Sequence, residues 1–277
     1  MPVRIVTDSA ADLPPAVAAN LDITVVPVIV QFGEESLRDR VDLTSADFYR
    51  RLAASDALPK TAAPPPGFFT AEYQRLTQAG DDVVSVHVGA GLSGILNSAR
   101  VAAADFGGRV QLVDSTNLSL AVGWVAIEAA RAAQRGASLA EVVAAAESCV
   151  PRVRLWSVLD TLEYAYKGGR VSAPAAWLGS LLHVKPILDF RDSAVKVTDR
   201  IRSMRGAVNR LLDIVQAAGP VQEIGVLHAT APELGAEVQR RVHALYPDLD
   251  VSLVETGPAV GVHCGPGAVG IAALLAP

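Results

Sequence analysis

The sequence predicts an α/β fold in two domains, an N-terminal α/β/α domain on a parallel sheet and a C-terminal α/β domain on a mixed sheet. Three observations predict it. Short β-branched runs alternate with helix-length segments through the first 150 residues, the rhythm of a parallel sheet with helices on its faces. Runs such as Val83–Val88 are apolar almost throughout, as strands buried on both sides are. Near residue 158 the texture changes, and Arg191-Asp192-Ser193 separates two strand-like runs in the manner of a hairpin. The expected domains are residues 1–157 and 158–277, with a ligand site between them.

In order, Val3–Val6 reads as a first strand, and Asp12-Leu13-Pro14 opens a helix with Asp12 as its cap. Ile23–Val30 reads as one strand. Thr44 and Asp47 form a capping pair for a helix whose inner face carries Phe48 and Leu52. Strands follow at Val83–Val88 and Val110–Val113, with a helix over Asn97–Ala104 between them. A long alanine-rich helix spans Ala121–Arg135 and stops at Gly136, and Ser138-x-x-Glu141 caps the next. In the second half, helices are expected at Thr161–Lys167, Ser203–Ala217 and Pro232–Leu245. Strands are expected at Val184–Leu188, Ala194–Val197, Ile224–Leu227, Val251–Val254 and Val269–Leu275.

Composition narrows the function. Hydrophobic residues make up 51% and charged residues 19%, a globular balance. Alanine and valine dominate the apolar set, and small side chains leave room for an apolar ligand. The net charge of −5, with no basic tail, disfavours a nucleic-acid partner. Cys149 and Cys264 stand far apart, fitting neither a disulfide framework nor zinc spacing, so the expectation is a cytoplasmic protein without metal. The N-terminus does not read as a signal peptide. Thr256–Pro277 lacks charge, yet Gly257-Pro258 and Gly265-Pro266-Gly267 interrupt it. It reads as a loop and a buried strand, not an integral membrane segment.

Polar residues cluster where strands end, the usual place for ligands in parallel α/β sheets. Gly89-Ala90-Gly91-Leu92-Ser93-Gly94 lies between a strand and a helix. Its glycines admit close approach, and a helix start offers free N–H groups to an anion. A plain strand-to-helix turn capped by Ser93 accounts for the loop equally well. Asp8 and Asp114 suit a metal or acid–base role, but capping turns are the more ordinary use of Asp after a strand. His263 suits either an anion contact or the core; Cys264 reads as a small buried residue. Gly168 and Gly169 read as a helix C-cap with Arg170 on the surface, and Arg200, Arg202, Arg205 and Arg210 as a solvated basic face. Trp156 and Trp177 read as core.

Seven segments taken in order resemble the DegV family, which includes the FakB fatty-acid-binding components of bacterial fatty acid kinase. They are Thr7-Asp8-Ser9, Lys60–Pro64, Leu92–Ala99, Val113-Asp114-Ser115, Leu162–Arg170, Lys185–Leu188, and Gly257-Pro258 leading to His263–Gly267. The resemblance runs from end to end. It implies a protein without catalysis or cofactor of its own, which binds a long-chain fatty acid. An ATP-dependent kinase partner would phosphorylate that acid to an acyl phosphate for phospholipid metabolism. It implies carboxylate binding by Thr61, Ser93, Gly94, Asn97 and His263, and partner docking by Arg170 and Arg202. Ala62, Ala63 and Cys264 depart from the family pattern, which has Ser-Gln after the threonine and often Thr after the histidine. Two other readings stand beside it: a stand-alone lipid carrier, and a self-sufficient phosphotransferase or hydrolase using Ser93. Against the latter, Ser93 is followed by Gly94-Ile95, so the Gly-x-Ser-x-Gly elbow is incomplete.

Overall fold

The computed structural model describes residues 1–55, 57–172 and 184–277. Trp177 lies outside them. Strands β1 (Val3–Asp8), β2 (Ile23–Val26), β6 (Asp82–His87) and β7 (Val110–Asp114) form a parallel sheet in the order β2-β1-β6-β7. Strands β8 (Val153–Val158), β9 (Lys185–Arg191), β10 (Ala194–Ile201), β11 (Val221–His228), β12 (Val251–Glu255) and β13 (Val269–Leu275) form a mixed sheet, β10-β9-β8-β13-β11-β12. Within it only β11 and β12 run parallel. A small antiparallel sheet, β4-β3-β5, joins β3 (Ile29–Phe32), β4 (Glu35–Arg38) and β5 (Lys60–Ala62). The α/β class and the parallel and mixed sheets are as the sequence predicts.

Helices α3 (Pro66–Gln78) and α4 (Ile95–Ala103) pack against the parallel sheet, as does α6 (Leu139–Cys149). Helix α5 (Leu120–Gln134) touches β1 and β6 of that sheet and also β8, β11 and β13 of the mixed one. A helix between two sheets must be apolar on nearly every side. Eleven of its fifteen residues are buried, six of them Ala or Gly, so the sheets approach closely. Helices α8 (Met204–Ala217) and α9 (Pro232–Leu245) cover the opposite face of the mixed sheet, over a separate core containing Trp156, Ile187, Val226 and Ile271. The capping predictions hold: Thr44 accepts from the Asp47 N–H at the start of α2 (Ser45–Ala54), and Ser138 and Glu141 close a full capping box. Phe48 and Leu52 are buried as expected.

Three expectations are corrected. Ile23–Val30 is not one strand. It breaks at Pro27, which lacks the N–H that a central strand must donate, and β2 and β3 enter different sheets. Asp12 does not start the helix that follows it; its backbone N–H instead closes the short 3-10 turn Ser9–Ala11. It sits at φ +50°, and α1 (Pro15–Asn20) begins after Pro14 with no side-chain cap. The run after Thr256 is not a loop: Pro258–Cys264 forms helix α10, started by a proline at its first position. This helix packs against α7 (Glu163–Lys167). Val269–Leu275 is the buried strand expected. Among the described residues, no helix is long and apolar enough to cross a membrane.

Asp12 has other work. Its carboxylate receives Arg40 Nη2 at 2.8 Å, Ser119 Oγ at 2.5 Å and the Gly257 N–H at 2.8 Å. It is fully buried, and burial raises its pKa despite these partners. One buried carboxylate thus ties the segment after β1, the segment after β4, the start of α5 and the start of α10 together. Asp39 stands beside it, 1% exposed, with neither oxygen hydrogen-bonded in good geometry among the described residues. Burial, with the like charge of Asp12 adding to it, pushes its pKa up to about 7. The folded protein therefore keeps a proton that the unfolded chain releases near pH 4, and stability falls as pH rises through roughly 4 to 7. Asp39→Asn removes that loss. In urea titrations the variant should gain on the parent by on the order of 1–4 kcal/mol between pH 4 and pH 8. A stability difference that is the same at both pH values would contradict this.

Candidate functional site

A cavity of about 100 Å³ lies where the inner face of the mixed sheet meets the strand ends of the N-terminal half. Most of its lining is apolar. The mixed sheet contributes Leu155, Leu188, Phe190 and Leu227, with Gly270 where a side chain would fill the space. Among the described residues, the wall contains a single cation, Arg170, and no acid.

The polar lining is drawn from three places in the chain. Thr61 is central in β5, paired with Val30 of β3. His263 lies in the last turn of α10, the helix whose first turn is pinned by Asp12. Thr61 Oγ1 and His263 Nε2 are 2.9 Å apart. Ser93 joins them on the wall from the loop before α4, where its Oγ accepts a 3.4 Å contact from the Ile95 N–H. The hydroxyl therefore has bonding capacity to spare.

Electrostatics keep this end of the cavity neutral to positive. Burial, helped by the nearby Arg170 charge, pushes the His263 pKa down to about 4. The imidazole is uncharged at neutral pH. Arg170 donates from Nη1 to the Gly168 carbonyl at 2.6 Å, and its own pKa is lowered by burial. No carboxylate pairs with it among the described residues. Arg170 is exposed yet reaches the cavity wall, and a cation there with no carboxylate beside it among the described residues attracts an anion. Cys264 also lines the cavity, but burial pushes its thiol up to about 12, so it is a wall and not a nucleophile.

Of the residues singled out by sequence, the structure brings Thr61, Ser93, His263 and Arg170 to one cavity. Gly94 is the N-cap of α4 and Asn97 is exposed on α4; neither is on the cavity wall. Arg202 is exposed beyond the end of β10. Asp8 and Asp114 each accept from the turn they open, Ala10 N and Thr116 N, and Asp114 also takes the Ala90 N–H of the loop before α4. Asp8 also anchors a buried chain, His87 to Ser85 to Tyr73, with links of 2.9, 2.7 and 2.8 Å. All four residues are fully buried, so Ser85 has no path to a substrate. No imidazole or carboxylate is hydrogen-bonded to Ser93 among the described residues.

Sequence reading placed the turn of the β9–β10 hairpin but missed what its tip docks against. Ser193 sits at φ +57° and its N–H bonds the Thr116 carbonyl at 2.8 Å. A Cβ on Gly89 would lie 2.6 Å from Ser193 Oγ, and one on Gly91 2.5 Å from Ser193 O. Gly89 and Gly91 thus make room for the hairpin that supplies Leu188 and Phe190 to the wall. No local pattern marks such a contact between distant segments.

Comparison with known proteins was consistent along the whole chain. A family model described as "Uncharacterised protein, DegV family" matches residues 2–276. A DegV domain-containing protein of Deinococcus radiodurans is 36% identical over 276 residues, covering 98% of each chain. A solved DegV family protein from Thermus thermophilus, described for its fatty acid binding, superposes with a TM-score of 0.92 at 30% identity, covering all of both chains. The DegV protein of Bacillus subtilis, described as a fatty acid binding protein, gives 0.89 at 31% identity, again over all of both.

The hairpin contact carries a prediction. Gly91→Ala places a methyl against the Ser193 backbone and should destabilise the protein by about 1–3 kcal/mol in chemical denaturation. An unchanged denaturation midpoint would show that the hairpin tip is not docked there.

Proposed function

This chain belongs to the DegV family, and on that premise we propose that it binds a long-chain fatty acid between two domains. The acyl chain lies in the apolar bore. The carboxylate is held by Thr61 and Ser93, with His263 behind Thr61 and Arg170 close by. The observation that carries this reading is the cavity wall. Its described residues form an apolar bore whose polar part holds hydroxyls, a neutral imidazole and one cation, with no acid.

The energetics support it. Burying ~14 methylenes contributes on the order of 10 kcal/mol before the costs of association, at about 0.8 kcal/mol each. A buried carboxylate without donors costs several kcal/mol or takes up a proton. Hydroxyl donors and a nearby guanidinium offset that cost. Gly94 and Asn97 belong to this proposal only as supports of the Ser93 loop and α4. The protein has no chemistry of its own in this reading. It presents the carboxylate to an ATP-dependent kinase, which forms the acyl phosphate, and exposed Arg202 is part of the docking face.

Mass spectrometry of organic extracts of the purified protein should find a fatty acid, and added palmitate should bind. Ser93→Ala and Thr61→Val should each weaken palmitate binding by about ten-fold or more, the worth of a hydrogen bond to a charged group. No lipid, and no uptake of palmitate, would end the proposal. For the kinase step, Arg202→Glu should leave palmitate affinity intact while abolishing acyl phosphate formation with the kinase and ATP. Full acyl phosphate formation by that variant would leave the protein a carrier without this docking face.

A further inference from the structure

We infer that Gly168 is a positioning residue: its backbone packs on the edge of His263, keeps the imidazole proton on Nε2, and so makes the Thr61 hydroxyl a donor to an ionised carboxylate. The inference rests on the proposed fatty-acid site and explains which form of the head group that site accepts.

Gly168 is the residue after α7. A Cβ built on it would collide with His263 Nδ1 and stand 3.0 Å from Cε1. Only glycine lets the chain lie this close to the ring. His263 Nδ1 is buried, and no hydrogen-bond partner meets it among the described residues. Two neighbouring carbonyls are already engaged: Tyr164 O accepts from the Gly168 N–H at 2.8 Å, and Gly168 O accepts from Arg170 at 2.6 Å. With no acceptor meeting it in hydrogen-bond geometry among the described residues, a proton on Nδ1 would be a buried donor left unpaired. A lone pair there instead faces the Gly168 Cα–H groups, a weak but favourable contact.

With Nδ1 bare, the neutral ring carries its proton on Nε2, which donates to Thr61 Oγ1 across 2.9 Å. A threonine hydroxyl has one proton to give. Since His263 supplies rather than takes a hydrogen bond, that proton is free for the ligand. The opposite tautomer would draw it to the ring, and Thr61 would then offer the ligand only an acceptor, suited to an alcohol, an amide or a protonated acid. The tautomer thus selects the ionised carboxylate over a neutral head group.

The test is ¹⁵N NMR of histidine-labelled full-length protein, lipid-free and loaded with palmitate, with the His263 resonances assigned by their loss in His263→Gln. The expected result is a protonated Nε2 and an unprotonated Nδ1 in both states. Gly168→Ala should lower palmitate affinity about ten-fold or more and narrow the preference for palmitate over palmitamide. A proton on Nδ1 in either state overturns the inference, as does a folded Gly168→Ala that retains both affinity and preference. If that variant does not fold, the wild-type spectrum decides. A wild-type protein with the Nε2 proton that takes up no palmitate would support the tautomer and sink the carrier reading.

Discussion

A hydrogen bond between residues 202 positions apart holds the polar end of the cavity together. Thr61 reaches His263 from a three-residue strand in a small sheet, and His263 reaches Thr61 from a seven-residue helix. Neither element is long enough to fix its own position. Strand β5 is fixed by pairing with β3, and α10 by the Asp12 carboxylate that accepts from the Gly257 N–H at its start. The buried Asp12 cluster is therefore the foundation of the site without touching its chemistry. It fixes the separation between two short elements to the few tenths of an ångström that a hydrogen bond tolerates. Breaking a buried network of this kind costs several kcal/mol because it strands a charge. Site geometry and fold stability are accordingly coupled here.

The cavity owes its form to what is small. Helix α5 runs between the two sheets with alanines and a glycine among its buried positions, and Gly270 leaves the sheet surface bare where the cavity passes. Leucine and phenylalanine line the mixed-sheet side of the wall. An apolar wall rewards an acyl chain, since methylene burial adds along its length. Selectivity at the other end is electrostatic. Among the described residues the wall holds no acid, its histidine is kept neutral by burial, and its arginine meets no carboxylate. All three features favour one negative charge.

Much of the fold was legible in the sequence because its signals are local. The Ser138–Glu141 capping box, the proline-started helix over Pro232–Leu245 and the hairpin turning at Asp192-Ser193 all lie where their residues point. The failures are equally physical. Pro27 splits what hydrophobicity alone joins. Gly257-Pro258 suggested a loop, yet a proline is at home in the first turn of a helix, and Pro258 starts one. Asp12 has the composition of a cap, yet tertiary partners claim its carboxylate. At the site, no spacing rule could bring Thr61 to His263, and only the likeness to a family indicated that they belong together. The same likeness named Gly94 and Asn97, which stand on α4 beside the cavity rather than on its wall, and Arg170, an exposed residue that also reaches the wall.

A crystal structure of the protein grown with palmitate tests the central claim most directly. The account predicts one acyl chain along the inner face of the mixed sheet, with its carboxylate within hydrogen-bond distance of Thr61 Oγ1 and Ser93 Oγ. A chain running with its carboxylate away from both hydroxyls, or a bore closed by side chains with palmitate elsewhere, would contradict it.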